Sequence, residues 1–183
     1  MTLVLVLGDL HIPQRAADIP SKFRKLLVPG KIDQIVCTGN VTDKATLEYL
    51  RSITPAVDVV RGEYDGRGLP ASLRFEAGGL AVGVLSGYQM VPANGDVDAL
   101  AAAARQLDVD VLVTGSTHRF EAYEEQGRFF INPGSITGAF SPLEPRPIPS
   151  FVLMEMKPRQ QLVAYVYQLV GGEVVVDRIE YSK

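Results

Sequence analysis

A run of five apolar residues near the start of the chain, Leu3–Leu7, restricts the fold more than any other stretch. The run has no helical period, so it is typical of a strand that is buried on both faces. Gly8 permits a sharp turn, and Asp9 and His11 follow with one residue between them. In an extended segment, residues i and i+2 point to the same side, so this carboxylate and this imidazole would share a face. Both groups bind divalent metals such as manganese, iron or zinc. A polar turn with a hydrogen-bonded His11 is the alternative.

The composition of the whole chain narrows the class of protein. Of its 183 residues, 46% are hydrophobic and 21% charged, which is typical of a globular protein. We therefore expect a single domain over residues 1–183. The net charge of −3 comes without a basic cluster, so nucleic acid is not an expected partner. No apolar run is long enough to cross a bilayer, so direct membrane insertion is not expected. The single cysteine, Cys37, predicts a reducing, cytoplasmic location.

Strands and helices alternate along the first two thirds of the chain, which indicates parallel strands with right-handed crossovers. After Leu3–Leu7, the predicted strands are Gln34–Thr38, Val57–Val60, Leu80–Leu85 and Val111–Thr114, and the predicted helices are Ile19–Val28, Lys44–Ile53 and Asp96–Leu107. Later strands, at Phe120–Tyr123, Phe129–Ile131, Phe151–Met156, Gln161–Leu169 and Glu173–Tyr181, form hairpins, and we expect these hairpins to build a second, mainly antiparallel sheet. The predicted fold class is α/β, a four-layer α/β/β/α sandwich of two mixed sheets.

Polar residues follow five successive predicted strands. They are Asp9 and His11, then Asn40, Glu63, Ser86, and finally Ser116 and His118. Open α/β sheets place their sites at the carboxyl ends of parallel strands, so we expect these side chains to lie together. The chain has only two histidines, and both belong to this set.

These strand ends carry motifs that resemble, in order, the five motifs of the calcineurin-like metallophosphoesterases. They are Gly8-Asp9-Leu10-His11, Gly39-Asn40, Gly62-Glu63-Tyr64-Asp65, Ser86-Gly87-Tyr88 and Gly115-Ser116-Thr117-His118. Further runs resemble a narrower family, the metallophosphoesterase-fold subunits of retromer, which recycles membrane cargo from endosomes. They are Lys25–Ile32, Cys37-Thr38-Gly39-Asn40, Pro149–Met154 and Tyr165–Leu169. The resemblance covers essentially the whole chain and implies the metallophosphoesterase fold.

The resemblance also implies a hydrolase site that is no longer complete. The two-metal mechanism needs two cations a few ångströms apart, and the carboxylate that bridges them in the family is here the neutral amide of Asn40. The first metal position would use Asp9, His11, Asn40 and His118, which can hold one weakly bound divalent ion, zinc or manganese. The second would depend on Asn40, Glu63, Ser86 and Ser116, and the two hydroxyls are poor ligands. Tyr64 replaces the histidine that protonates the leaving group in many family enzymes. We therefore expect no catalytic residue and no required cofactor.

The resemblance assigns two protein-binding surfaces instead. The metal-site face would dock on the helical solenoid of vacuolar protein sorting-associated protein 35 through Met90, Val91 and Pro92, although Val91 could instead cap the local core. A groove would bind regulators such as a Rab-GTPase-activating protein of the TBC class or an ankyrin-repeat VPS9-domain protein. Its residues would be Leu3, Leu26, Leu27, Leu153, Tyr165, Tyr167, Val176 and Arg178. For Leu27, burial in the core is favoured over a place in the groove.

The function implied by the resemblance is that of a non-catalytic scaffold in the cargo-recognition complex of retromer. Such a subunit would act in sorting from endosomes to the Golgi and the plasma membrane, held peripherally on endosome membranes by the complex. Two alternatives remain open at this point. One is a residual phosphoesterase with a single metal, and the other is a small-molecule binder that uses the pocket.

Overall fold

The computed structural model describes residues 1–183 and contains eleven strands and three helices. The strands are β1 (Thr2–Leu7), β2 (Gln34–Cys37), β3 (Val57–Val59), β4 (Ser72–Ala77), β5 (Leu80–Leu85), β6 (Val111–Val113), β7 (Phe120–Glu125), β8 (Arg128–Pro133), β9 (Ser150–Lys157), β10 (Gln161–Val170) and β11 (Glu173–Ser182). The helices are α1 (Ser21–Arg24), α2 (Lys44–Ile53) and α3 (Val97–Leu107). None of these helices combines the length and the apolar character that a membrane crossing needs.

The strands form two mixed sheets, which confirms the predicted fold class. The first sheet has the order β11-β10-β9-β1-β2-β3 and the second has the order β4-β5-β6-β8-β7. Strands β1, β2 and β3 are parallel to one another, as are β5, β6 and β8. The carboxyl ends of β1, β2, β3, β5 and β6 carry the polar residues that the sequence singled out.

One part of the predicted topology is wrong. The terminal hairpins β9 to β11 do not build the second sheet; they extend the first, because β9 pairs antiparallel with β1 and opposes Leu153 to Leu5. A central strand such as β1 has two edges, and β2 covers only one of them. The alternation of apolar residues predicts that a hairpin forms but not which open edge it joins.

The two faces of β1 pack into different parts of the core. Val4 and Val6 point between the two sheets, where they join a buried cluster with Val82 and Val113 of the second sheet. Residues on the other face of the first sheet, Leu5 and Leu7 among them, pack beneath α1 and α2 together with Phe23, Leu50 and Phe151. A third cluster lies between α3 and the outer face of the second sheet. The order of layers is therefore helix, sheet, sheet, helix.

The helices follow their sequence signals except in one segment. Helix α2 begins after Asp43, whose carboxylate accepts a hydrogen bond from the Thr46 N–H at 2.9 Å, as expected for an N-cap. The helix predicted over Ile19–Val28 is limited to α1, one turn from Ser21 to Arg24. Beyond this turn the backbone hydrogen bonds become irregular, since the N–H of Leu26 donates to the carbonyl of Phe23 at 2.9 Å and that of Val28 to the carbonyl of Leu26 at 3.0 Å.

Gly39 should be among the least replaceable residues of the fold. It has φ +105°, and an added Cβ would lie 2.5 Å from the nitrogen of Gly62 and 2.8 Å from the oxygen of Val60. We expect Gly39→Ala to lower the free energy of unfolding by roughly 3 kcal/mol or more, since backbone strain and a backbone clash act together. Urea denaturation followed by circular dichroism measures the change.

Gly30 provides the matched control. It also has a positive φ, +86°, but nothing lies within 4 Å of its added Cβ. Gly30→Ala should therefore cost only about 1–2 kcal/mol, the price of the left-handed backbone. Equal losses in the two variants would contradict the importance of the Gly39–Gly62 contact.

Candidate functional site

The ends of the parallel strands meet in a cleft with a volume of about 250 Å³. The residues that line it include His11, Asn40, Glu63, Ser116 and His118. They come from the ends of β1, β2, β3 and β6, so strands of both sheets contribute. The structure therefore brings together most of the strand-end residues that the sequence identified.

Left-handed backbone at these turns directs several of the side chains into the cleft. The backbone angle φ lies between +47° and +75° at five of these residues, namely Asp9, His11, Asn40, Ser116 and His118. Hydrogen bonds between the turns hold this conformation: the N–H of Asp9 donates to the Gly39 carbonyl at 3.0 Å, and that of His11 to the Asn40 carbonyl at 2.8 Å. Strained backbone of this kind is typical of functional sites, where the surrounding structure fixes it.

Three buried side chains could hold one metal ion. The ligand atoms of Asp9, His11 and His118 all lie within 4.8 Å of one another, and the two Nε2 atoms of the histidines are 3.1 Å apart. Nδ1 of His118 lies 2.6 Å from the Ala139 carbonyl, which can only accept, so Nδ1 carries the proton. The Nε2 of His118 is then free to act as a ligand or, without a metal, to accept from Nε2 of His11.

Burial sets the protonation of the groups in this cluster. It lowers the pKa of His11 to about 3, and the nearby charges of His118 and Arg15 act in the same direction. His11 is therefore neutral at neutral pH, as a metal ligand must be. Burial raises the pKa of Asp9, while His118 and the hydrogen bonds from Asn40 and Ser116 oppose that rise.

Asn40 lies against Asp9, but its oxygen faces another way. Its Nδ2 donates to Asp9 Oδ1 at 3.0 Å, and its Oδ1 accepts from the Tyr64 N–H at 3.0 Å. The backbone N–H of Tyr64 can only donate, so it must face the oxygen of the Asn40 amide, and this fixes the orientation of the amide. Three of the four predicted metal ligands have ligand atoms that face one another: Asp9, His11 and His118. The fourth, Asn40, instead donates a hydrogen bond to Asp9.

The second metal position lacks a comparable set of donors. Ser86 is fully buried and its Oγ has no hydrogen-bond partner, while Glu63 is exposed. Ser116 contributes its backbone N–H, which donates to Asp9 Oδ2 at 2.8 Å. One carboxylate and two neutral hydroxyls make a weak site for a divalent cation. The residues present fit one ion, held by Asp9, His11 and His118, and do not fit a second.

The loop assigned to the solenoid partner projects from the protein surface. Val91 is 91% exposed, so it does not cap the local core. Met90 is half-buried and packs against the cluster beneath α3, whereas Pro92 is exposed. The loop is therefore held to the protein by Met90 and exposes the apolar side chain of Val91.

Most of the proposed groove lies on the outer face of the first sheet. The register places Leu153, Tyr165 and Arg178 side by side on β9, β10 and β11, and Tyr167 opposite Val176. Leu3 lies two residues before Leu5 on β1 and shares this face. Leu26 is exposed on the segment after α1, whereas Leu27 is only 4% exposed and belongs to the core, the favoured alternative for that residue.

Sequence reasoning missed an apolar rim around the cleft. Tyr64, Phe140 and Leu143 are each about half exposed, at 56%, 52% and 47%. Arg15 connects two of these residues, because its guanidinium lies 4.8 Å from the centre of the Tyr64 ring and donates a hydrogen bond to the Phe140 carbonyl at 2.8 Å. The available signal was Phe140 and Leu143 themselves, two apolar residues in an otherwise loop-like, proline-rich segment.

Comparison with known proteins identifies relatives over nearly the full chain. The model of the calcineurin-like phosphoesterase superfamily domain matches residues 1–159. Vacuolar protein sorting-associated protein 29 of Schizosaccharomyces pombe is 43% identical, and the match covers 99% of this chain and 98% of that protein. The crystal structure of Chaetomium thermophilum Vps29 is similar with a TM-score of 0.95, 46% identity and complete coverage (100%) of both chains. The Entamoeba histolytica Vps29 structure complexed with zinc is similar with a TM-score of 0.92 and 44% identity over 98% of this chain and 99% of that one.

Zinc should bind to this chain with a stoichiometry of one ion. We expect His118→Ala to weaken binding at least about tenfold, because it removes one of three facing ligands. Isothermal titration calorimetry measures both values. Glu48→Gln is the control, since Glu48 is an exposed carboxylate on α2, and it should leave zinc binding unchanged. Two ions per wild-type chain, or undiminished affinity in His118→Ala, would contradict the single site.

Proposed function

The chain belongs to the calcineurin-like phosphoesterase superfamily and to its Vps29 family, the retromer subunits of intracellular protein transport, and we propose that it is a non-catalytic scaffold. In this role the metal-site face binds the helical-solenoid subunit, vacuolar protein sorting-associated protein 35. A separate groove recruits regulators, such as a Rab-GTPase-activating protein of the TBC class. The complex holds the chain peripherally on the cytoplasmic side of endosome membranes.

The neutral amide at the bridging position carries the non-catalytic part of the proposal. Two-metal hydrolysis requires two cations that stabilise the attacking and leaving oxygens together. Asn40 brings no charge to offset them, and its oxygen is already bonded to the N–H of Tyr64 at 3.0 Å. The Asp9 carboxylate next to it accepts a hydrogen bond from the same amide at 3.0 Å. Asn40 and Asp9 therefore already have hydrogen-bond partners within the protein, at the place where an enzyme would need a second ion.

The leaving-group acid is also missing from this cleft. Tyr64 follows Glu63 at the end of β3, and its ring meets that of His11 edge-on at 5.4 Å. A phenol is a poor proton donor at neutral pH compared with an imidazole. Its exposed ring, backed by Arg15, is better suited to contact with another protein.

Exposed apolar side chains around the cleft support docking of a partner on this face. Val91 is the most exposed of the large apolar residues, and Tyr64, Phe140 and Leu143 add to the rim. Apolar side chains grouped around a polar cleft are typical of protein interaction sites. A helical solenoid can cover such a face with the apolar residues of several helices.

Preordered aromatic residues support the groove as the second binding surface. Tyr167 stacks on Phe151 with a centroid distance of 4.7 Å and an interplanar angle of 4°, and Phe151 in turn packs edge-on against Phe23. Tyr165 lies beside Leu153 and Arg178 on the same face. Tyrosine and arginine next to leucine supply the anchors found at many interfaces.

A phosphoesterase with a single metal remains the second candidate, because Asp9, His11 and His118 form one plausible ion site. Turnover of a generic phosphodiester with added manganese, abolished in His118→Ala, would favour this function over a pure scaffold. The scaffold proposal expects no turnover above that of the variant.

The two surfaces should be separable by mutation. We expect Val91→Asp to weaken binding of the recombinant solenoid fragment at least about tenfold, since it places a charge in an apolar contact, and to leave regulator binding intact. Tyr165→Ala should have the opposite effect: loss of a TBC-class regulator fragment and normal binding of the solenoid. Calorimetry with the two fragments measures both interactions.

Each variant serves as the folding control for the other. Val91 is 91% exposed, so its substitution should change the free energy of unfolding by no more than about 0.5 kcal/mol. Normal solenoid binding by Val91→Asp, or joint loss of both ligands in either variant, would contradict the division into two surfaces.

A further inference from the structure

A second cavity, with a volume of about 250 Å³, lies next to the metal-site cleft. His118 lines both cavities, so the two are adjacent. The loop between β8 and β9 also borders both: Leu143 lines the cleft, and Glu144 and Arg146 line the second cavity. A partner docked on the metal-site face is therefore within reach of this cavity.

Hydrogen-bond donors without a partner face this cavity. Arg146 is exposed and forms no ion pair or side-chain hydrogen bond within the chain. Arg119 uses only Nε, which donates to Glu121 Oε1 at 3.2 Å, so its terminal nitrogens remain free. The amide of Gln168, from the end of β10, is likewise without a hydrogen bond. Phe120 and Ile148 supply apolar walls.

The charges that line the cavity favour one kind of anion. Two guanidiniums face one carboxylate, that of Glu144, which lies more than 4.0 Å from both and forms no salt bridge with them. Because Glu121 also offsets Arg119 in part, at most one positive charge is in excess. A single carboxylate matches this balance better than a phosphate dianion, which Glu144 would repel.

We propose that this cavity is a carboxylate-binding subsite of the metal-site face, which takes one aspartate or glutamate side chain of the partner docked there. The proposal rests on the proposed function, because the partner is the one that covers the cleft. Guanidinium groups bind carboxylates through two parallel hydrogen bonds, which gives direction as well as affinity.

Calorimetry of the full chain with the solenoid subunit tests the subsite. We expect Arg146→Ala to weaken binding about tenfold and to reduce its dependence on salt concentration. Arg146→Lys, which keeps the charge but loses the planar fork, should fall between this variant and the wild type. Equal affinity of Arg146→Ala and the control would overturn the proposal.

Arg51→Ala is the matched control. Arg51 is an exposed arginine in the last turn of α2. This end of the helix lies away from the cleft, since the neighbouring Thr54 contacts the carbonyl of Asp33, just before β2. The control should bind the solenoid like the wild type.

A measurement without the partner separates this proposal from the proposed function. The probe is N-acetyl-aspartate amide, titrated into the isotope-labelled chain while the arginine side-chain N–H signals are followed by nuclear magnetic resonance. Saturable shifts at Arg119 and Arg146 that disappear in Arg146→Ala support the subsite, even if the wild type fails to bind the solenoid. No shift, an equal response to N-acetyl-asparagine amide, or tighter binding of inorganic phosphate would overturn it.

Discussion

The buried carboxylate of Asp9 joins the two sheets and holds the cleft together. Its Oδ1 accepts from Asn40 at the end of β2, and its Oδ2 accepts from the Ser116 N–H at the end of β6. The carbonyl of the same residue accepts from Ser135 Oγ at 2.7 Å, which ties in the segment after β8. A buried carboxylate is tolerated only when such donors surround it. The side chain of Asp9 therefore links the ends of β1, β2 and β6, and its backbone carbonyl adds the segment after β8.

Asn40 is a neutral amide beside the buried carboxylate of Asp9, and this allows the pair to be stable without a cation. Two carboxylates side by side repel each other unless cations lie between them. An amide in that place donates a hydrogen bond to Asp9 instead, and the N–H of Tyr64 fixes its orientation. The hydrogen bonds of this polar pair are therefore satisfied within the protein.

The two proposed binding surfaces depend on different parts of the two sheets. The cleft lies at the carboxyl ends of the parallel strands, where connecting loops expose Val91, Phe140 and Leu143. The groove lies across the antiparallel strands that extend the sheet beyond β1, where Tyr165 and Tyr167 are held by cross-strand neighbours. Because the hairpins joined the first sheet, its outer face continues past the short helix α1 and leaves apolar residues uncovered there.

The sequence by itself determined the α/β class, nearly all strand positions and the set of polar strand ends, because these depend on local periodicity and on motifs of a few residues. Asp9, His11 and His118 could be grouped in advance, since the carboxyl ends of parallel strands share one edge of a sheet. Only the tertiary structure decided which edge β9 occupies, which way the Asn40 amide points and that Arg119 and Arg146 face one cavity. Each of these depends on contacts between residues far apart in the chain, such as Asn40 with Tyr64. No local pattern encodes such a contact, because its geometry exists only once the sheets have packed.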